Sequence, residues 1–271
     1  MYIHEIFNIK LDDLNDHELD QKLFSFLNSK NTKIIATPNA EMFLDAKHDL
    51  DFKKALGNTD VNLPDSVTMR FAISALTDDR LKNRHTGVDT FKNLIDLCEQ
   101  QGKKILLLGA SDEILEKAKT KLLQSHENLI IDILDPDYLL IRSGWIYVRD
   151  EIIDEIHKIN PDVVAIALSH KKQLIFMNQF KDEFPDVKVM IGVGGAIDMI
   201  AGKRKRAPRL MQKMGLEWIW RALIEPSRIG RIILASIFFP IYVVSEAIKN
   251  HRFIKAVMNT VPEIAKQLIG K

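Results

Sequence analysis

The stretch Val187–Arg231 reads VKVMIGVGGAIDMIAGKRKRAPRLMQKMGLEWIWRALIEPSRIGR, and the rest of the chain arranges itself around it. An apolar β-type run, Val187 to Val193, closes on Gly194 and Gly195. A short apolar segment with a single acid, Asp198, follows, and then the cations Lys203, Arg204, Lys205, Arg206 and Arg209. An aromatic helical segment with Trp218 and Trp220 leads to three spaced arginines, Arg221, Arg228 and Arg231. A buried strand that opens onto glycines and a bank of cations predicts a phosphate site. Glycine lets a ligand approach the backbone, and the guanidinium fork matches phosphate oxygens.

Upstream, five further apolar runs recur: Lys33 to Ala36, Val61 to Leu63, Lys104 to Leu108, Leu129 to Leu134 and Val163 to Leu168. They are continuous rather than alternating, the pattern of parallel strands covered on both faces. Helical patterns lie between them and carry start signals. Asn15 with Glu18 reads as a capping box, Asp65-Ser66 precedes VTMRFAISAL, and Ser111-Asp112-Glu113 opens the next helix. Strand and helix in alternation predict an α/β fold, a mostly parallel Rossmann-like sheet flanked by helices. Ligands of such sheets sit beyond the carboxyl ends of the strands. After Gln212 only helical patterns remain. The expected division is therefore an α/β core over 1–211 and a C-terminal helical appendage over 212–271, with apolar and basic faces suited to a membrane.

A net charge of +1 in 271 residues excludes a polyanion binder acting through its whole surface, although the region after Lys203 is locally cationic. Nucleic acid is not expected, since no nucleic-acid motif accompanies that cluster. The single cysteine, Cys98, makes no intrachain disulfide and sits in a helical pattern as a small core residue. MYIHEIFNIKLDD is not a signal peptide, which points to the cytoplasm. The longest apolar run, Ile232 to Val244, contains Pro240 and is expected to be too short to span a bilayer, which takes ~20 residues; it can still lie on one. Neither Gly192–Ile197 nor Gly109–Ser111 completes G-x-G-x-x-G, and no P-loop is present. No His/Cys cluster has metal-ligand spacing, so no cofactor and no metal are expected. Asp135-Pro136-Asp137 offers a metal pair or, more simply, a turn.

Individual residues admit two readings each. Thr37 and Asn39 follow the first strand directly and can bind sugar hydroxyls, or Asn39 can simply cap the next helix. Asp65 follows the second strand and can act as a general base, or cap the helix near Val67. Arg84, in NRHTGVDTF, can hold an anion near a helix start, or be a solvated loop residue with Asp89 near a cap. Gln173 can bond a sugar hydroxyl or lie on the surface. Arg221, Arg228 and Arg231 project in one arc if their helix is continuous, and Pro226 makes that conditional. Lys203 to Arg209 reads as a surface or membrane contact.

Taken together, GVGGAIDMIAGKRKRAP, GLEWIWRALIEPSR, TPNAEM, LPDS, RHTGVDTF and LLLGAS resemble the WecG/TagA/CpsF bacterial glycosyltransferases, from about Ile34 into the tail. The resemblance implies an inverting, metal-independent transfer of N-acetylmannosamine or a related hexose. The donor would be a UDP-sugar and the acceptor an undecaprenyl-diphosphate-linked N-acetylglucosamine. The products would serve teichoic acid, enterobacterial common antigen or exopolysaccharide biosynthesis. It also implies a peripheral place on the inner face of the plasma membrane, with a homo-oligomer left open.

By the same resemblance Asp65 is the base, and Thr37 and Asn39 form the active-site Thr-x-Asn. Arg84 and Gln173 flank the sugar and diphosphate, and Asp198 with Gly194-Gly195 lies near the nucleotide. Arg221, Arg228 and Arg231 close over the diphosphate. The chain departs from the family pattern at Ser66, where Gly is usual, and around Gln173, where Ala167 to Phe176 lack the usual Gly, Pro, Glu and Trp. Trp145, after Gly144, is expected to offer an aromatic face to uracil, with Tyr138 as its rival. Those departures leave a second reading, a catalytically weakened UDP-binding scaffold subunit of a polysaccharide assembly complex.

Overall fold

The computed structural model describes residues 2–137 and 139–268. The chain opens with a hairpin, β1 (Tyr2–Ile6) and β2 (Ile9–Asp13), then α1 (Asp16–Leu27), β3 (Lys33–Ala36), α2 (Ala40–His48), α3 (Leu50–Gly57) and β4 (Val61–Asn62). Next come α4 (Val67–Leu76), α5 (Gly87–Gln101), β5 (Lys104–Leu108), α6 (Asp112–Ser125), β6 (Ile130–Leu134), and a second hairpin of β7 (Leu140–Arg142) and β8 (Trp145–Tyr147). The core ends with α7 (Asp150–Ile159), β9 (Val163–Ile166), α8 (His170–Phe180), β10 (Val189–Gly192) and α9 (Ala196–Ile200). The remainder is helical: α10 (Arg209–Lys213), α11 (Glu217–Ile224), α12 (Ile229–Ile233), α13 (Phe239–Lys249) and α14 (Phe253–Leu268).

Among the described residues, six parallel strands form one sheet in the order β4-β3-β10-β9-β5-β6. The α/β expectation holds, and the six apolar runs are its six strands. The strands are shorter than the runs Val163 to Leu168 and Val187 to Val193: Ala167 and Val193 have already left the ladder for the loops, and β10 starts only at Val189. The apolar residues of each strand alternate between two buried clusters. Ile34, Leu106, Val164 and Met190 face one side, and Ile35, Ile105, Val163 and Val189 the other. Cys98 belongs to the second cluster, and burial pushes its thiol up to about 12, which confirms it as an inert core residue.

Both hairpins escape the reading of the sequence. Each turns on two residues with positive φ, Phe7 and Asn8 in one and Ser143 and Gly144 in the other, which fits the right-handed twist of paired strands. The first hairpin hides polar groups where a strand pattern would show apolar ones. Asp12 accepts the Asn62 amide at 2.8 Å and so occupies a free N–H of the edge strand β4. Asp13 accepts from the Lys82 and Asn83 amides, both at 2.9 Å, and meets His4 at 3.2 Å.

The run Ile232 to Val244 belongs to a longer helical stretch than expected, Ile229–Lys249, with the length and composition to cross a bilayer. Pro240 has no N–H to continue the α-ladder. The helix passes it by widening to a π turn over Leu234–Phe238, in which the Phe239 amide reaches back to the Leu234 carbonyl. One face of the stretch is nevertheless buried in the protein, at Phe239, Val243 and Ala247. These residues and Ala256 of α14 join the same apolar cluster as the sheet residue Ile34. Phe7 stacks on Tyr242 at 4.8 Å, so the first hairpin also receives α13.

Candidate active site

The chain leaves β3 for β4 at one edge and returns through β9 and β10 to the middle of the sheet. The crevice of such a sheet opens where the direction reverses. There, beyond the carboxyl ends of β4, β3, β10 and β9, lies a cleft of about 920 Å³. Thr37 and Asn39 reach it from the end of β3, Asp65 from β4, Ser169 from β9, and Gly194 and Gly195 from β10. Gln173, Arg84, Asp198, Arg221 and Arg231 line the same cleft. The side chain of Arg228 and the whole of Tyr138 lie outside the described residues.

Asp65 is left free for chemistry. Ser66, not Asp65, takes the N-cap position of α4, which overturns the capping alternative. The Asp65 amide is anchored to the Pro38 carbonyl at 3.1 Å, and the Gly87 amide donates towards its carboxylate. Burial pushes the Asp65 carboxyl above the usual carboxylate range, and Glu217 adds to the rise, while the charges of Arg221 and Arg84 oppose it. Asn39 serves both readings: it lines the cleft and caps α2 through the Met42 amide at 3.1 Å. Gln173 is buried, and its carbonyl accepts the Gly194 amide at 3.2 Å. A Cβ on Gly192 would stand 2.3 Å from the Gln173 amide nitrogen, so glycine there is a packing requirement. Gly194 itself has φ +46° and needs glycine's freedom. Gln173 thus shapes the glycine turn as well as facing the cleft.

The basic cluster splits. Lys203 and Arg209 are exposed away from the cleft, Lys205 is exposed at its rim, and Arg204 and Arg206 are half-buried in it. This corrects the expectation of a surface or membrane contact for those two. Arg204 pairs with Asp198 at 3.1 Å and Glu225 at 3.6 Å. Arg206 grips Asp89 through two bonds of 2.6 Å, which hold the Asp89 carboxyl below the usual range. Thr86 caps α5 and bonds Asp89 at 2.7 Å. A closed ring results. Arg206 holds Asp89 and Thr86, the neighbouring Gly87 amide faces Asp65, Arg84 donates to the Asp65 backbone carbonyl at 3.2 Å, and Glu217 sits 3.6 Å from Arg84 and 3.9 Å from Arg206. Gly87 also abuts Thr37, whose hydroxyl would lie 2.9 Å from an added Cβ.

Sequence reasoning missed Arg206, Asp89 and Glu217 as a set. The only signals were a threonine and an acid three residues apart and a cation-rich loop, and the partners lie 117 residues from one another. It also missed what holds Arg84. The Asp13 carboxylate fixes the two residues before it, and the Leu14 carbonyl contacts His85 at 2.7 Å.

The continuous helix on which a shared arc depended is not formed, because α11 stops at Ile224 and Pro226 starts a 3-10 turn. Arg231 pairs with Glu41 at 2.5 Å and meets His170 at 3.3 Å. The Arg221 guanidinium has no hydrogen-bond or ion-pair partner among the described residues and faces Asp65 electrostatically. Trp145 does not line the cleft. It is exposed on the β7–β8 hairpin, whose Gly144 packs on Asp51. Trp218 and Trp220 line the cleft instead, together with Phe71, Phe239 and Phe253, and Trp220 donates to the Lys205 carbonyl at 3.0 Å. Asp135 and Asp137 form a turn, with the Asp137 amide on Asp135 at 2.9 Å and Arg149 on Asp137 at 2.5 Å.

A carboxylate with a raised pKa, a glycine turn and several guanidinium groups around one crevice suit an enzyme that moves a group from a phosphate-bearing donor. The chain belongs to the glycosyl transferase WecG/TagA/CpsF family, whose model matches residues 4–253. It is accordingly a glycosyltransferase. It is 30% identical over 232 residues, 86% of this chain and 84% of the relative, to an N-acetylglucosaminyldiphosphoundecaprenol N-acetyl-beta-D-mannosaminyltransferase of Bacillus subtilis (strain 168). Enzymes of the same name from Bacillus spizizenii and Staphylococcus aureus (strain MRSA252) are 28% and 29% identical. They align over 77% and 80% of this chain and 78% and 82% of their own lengths.

Proposed function

We propose that the enzyme transfers N-acetylmannosamine or a related hexose from a UDP-sugar to N-acetylglucosaminyl-diphosphoundecaprenol. The transfer proceeds with inversion, without a metal ion, at the inner face of the plasma membrane, in teichoic acid or exopolysaccharide biosynthesis. The observation that carries this reading is Asp65: an acid with a raised pKa, free of capping duty, in a cleft shared with Arg84 and Arg221. The relatives' acceptor and sugar support the choice of substrates.

The acceptor hydroxyl oxygen attacks the anomeric carbon while Asp65 takes its proton. The bond from that carbon to the β-phosphate oxygen breaks, and the electron pair leaves with UDP. Thr37 and Asn39 bind sugar hydroxyls. Gly194-Gly195 and Asp198 lie at the nucleotide, and Gln173 holds the glycine turn in shape. Arg84, Arg221 and Arg231 take up the charge that grows on the diphosphate, the task a divalent cation performs in other transferases. Because the tail supplies two of these cations and exposes apolar residues on α12 to α14, docking of residues 212–271 at a membrane completes the site where the lipid acceptor resides.

The test is a screen of UDP-sugars with the lipid-diphosphate N-acetylglucosamine acceptor, read as UDP release with and without EDTA. Acceptor-dependent release that survives EDTA and is lost in Asp65→Asn is expected. Tight UDP binding with no release for any donor would favour the scaffold reading instead.

A further inference from the structure

Four side chains from three helices meet at one edge of the cleft, and the chemistry proposed above uses only one of them. Glu41 and Asp45 stand one turn apart on α2 and so share a face. His170 is the first residue of α8, and Arg231 comes from α12. The His170 Nε2 lies 2.6 Å from the Asp45 carboxylate. Its Nδ1 lies 3.3 Å from the Arg231 Nη2 and 3.9 Å from the Glu41 carboxylate. The Arg231 Nε donates to Glu41 at 2.5 Å. The imidazole stands edge-on to the buried ring of Phe52 at 5.5 Å, which restrains its plane. Glu41, His170 and Arg231 all line the cleft. The neighbouring Lys171 pairs instead with Asp49 at 2.7 Å.

The partners dictate the tautomer. A carboxylate only accepts, so the ring proton facing Asp45 is on Nε2. In the neutral ring Nδ1 then carries a lone pair, and the guanidinium, which only donates, supplies the matching N–H. A carboxylate behind an imidazole fixes the ring for work at its other nitrogen. Here that work is to hold an arginine. Arg231 gives its Nε–H to Glu41 and one Nη2–H to His170. Two donors of a rigid fork define the plane of the whole group. Among the described residues its Nη1 donors have no partner.

We infer that His170 is a positioning residue for the transfer. Asp45 orients its ring, and its Nδ1, together with Glu41, sets the Arg231 guanidinium so that the Nη1 donors are presented to the diphosphate of the sugar donor. The inference rests on the function proposed above. It gives α12 a seat on α2 and α8, made by the one arginine of the tail that the core holds from two sides. A cation placed before the reaction needs no reorientation when charge grows on the leaving group.

The experiment is a double-mutant cycle between His170 and Arg231, read as acceptor-dependent UDP release. His170→Phe keeps a ring against Phe52 and removes the acceptor, whereas His170→Asn keeps an acceptor at the δ position. His170→Phe is expected to lower kcat by about tenfold, the scale of one hydrogen bond to a charged group, with little change in donor KM. His170→Asn is expected to recover most of that loss. In an Arg231→Ala background His170→Phe is expected to cost nothing more. A tenfold loss that persists in that background overturns the inference, and so does His170→Asn if it is as slow as His170→Phe. If no donor is turned over, the proposed function fails on its own. The seat is then judged by hydrogen exchange over residues 229–233 of the ligand-free enzyme. His170→Phe and Arg231→Ala are expected to speed that exchange alike, and the double variant no further. Exchange that His170→Phe leaves unchanged overturns the inference.

Discussion

The two sides of the cleft are built differently. On the core side, Thr37, Asp65, Gln173 and Gly194 sit at the ends of sheet strands or against them, fixed by backbone bonds and close packing. On the tail side, Glu217, Arg221 and Arg231 stand on short helices tied down by ion pairs, with large apolar residues left exposed. Precision comes from the sheet, and charge comes from an attachment that ion pairs hold. On the function proposed above, the sheet side would carry the base and the tail side cations, so that transfer would need both.

The comparison can be broken most directly at Asp65. Asp65→Asn is expected to cut kcat by about 10²–10⁴, the usual worth of a general base, in a steady-state UDP-release assay. The fold should survive. Because burial raises this carboxyl, charging it opposes folding progressively as pH rises from the unfolded value of about 3.9. The variant is therefore expected to melt no lower than the wild type at pH 7. The same rise sets the acidic limb of activity. The base form is lost as pH falls through the raised value, so the limb of kcat/KM is expected above the ordinary carboxylate range.

On the tail side, Arg221→Ala is expected to cost about 10² in kcat/KM, the effect of losing one preorganised donor to developing charge. Melting at pH 7 is expected to fall slightly, since the buried Asp65 carboxylate loses the nearby charge that opposes its desolvation. The ring between the halves is expected to show a smaller effect. Arg206→Gln should lower kcat by about tenfold with little change in donor KM, because it displaces Gly87 and Asp65 rather than removing a ligand contact. Asp89→Asn combined with it should add little. Smallest for chemistry is Glu263→Ala, which leaves Arg70 and Arg80 without their acid. It is expected to lower stability by roughly 2 kcal/mol in denaturant unfolding while leaving the core side of the cleft intact.

The sheet was legible because its six strands are continuous apolar runs between glycines and helix caps, and burial on both faces forces that composition. Asp65, Asn39 and the glycine turn were legible because each follows such a run directly. The hairpins were not, because His4, Asp12 and Asp13 face inwards onto one another, the edge strand β4 or loop amides, which no periodicity marks. Arg206 reads like its exposed neighbours Lys205 and Arg209 until Asp89, far along the chain, is brought beside it. Trp145 was an aromatic residue in a plausible loop, yet its hairpin packs on α3 rather than on the cleft. The helices of the tail were legible, but their seat on α4 and α2 was not, since pairs such as Glu263 with Arg70 have no local signature. The division at 211 stays a proposal, and Phe239 and Val243 set its terms: a chain ending near Met211 would uncover Phe7 and Phe43.

The most direct measurement is product analysis by mass spectrometry after incubation of UDP-N-acetylmannosamine with the lipid-diphosphate N-acetylglucosamine acceptor, comparing wild type with Asp65→Asn. The account predicts a disaccharide-diphosphate lipid one N-acetylhexosamine heavier with the wild type, and almost none with the variant at the same time and concentration. A variant that forms the product at the wild-type rate would contradict it.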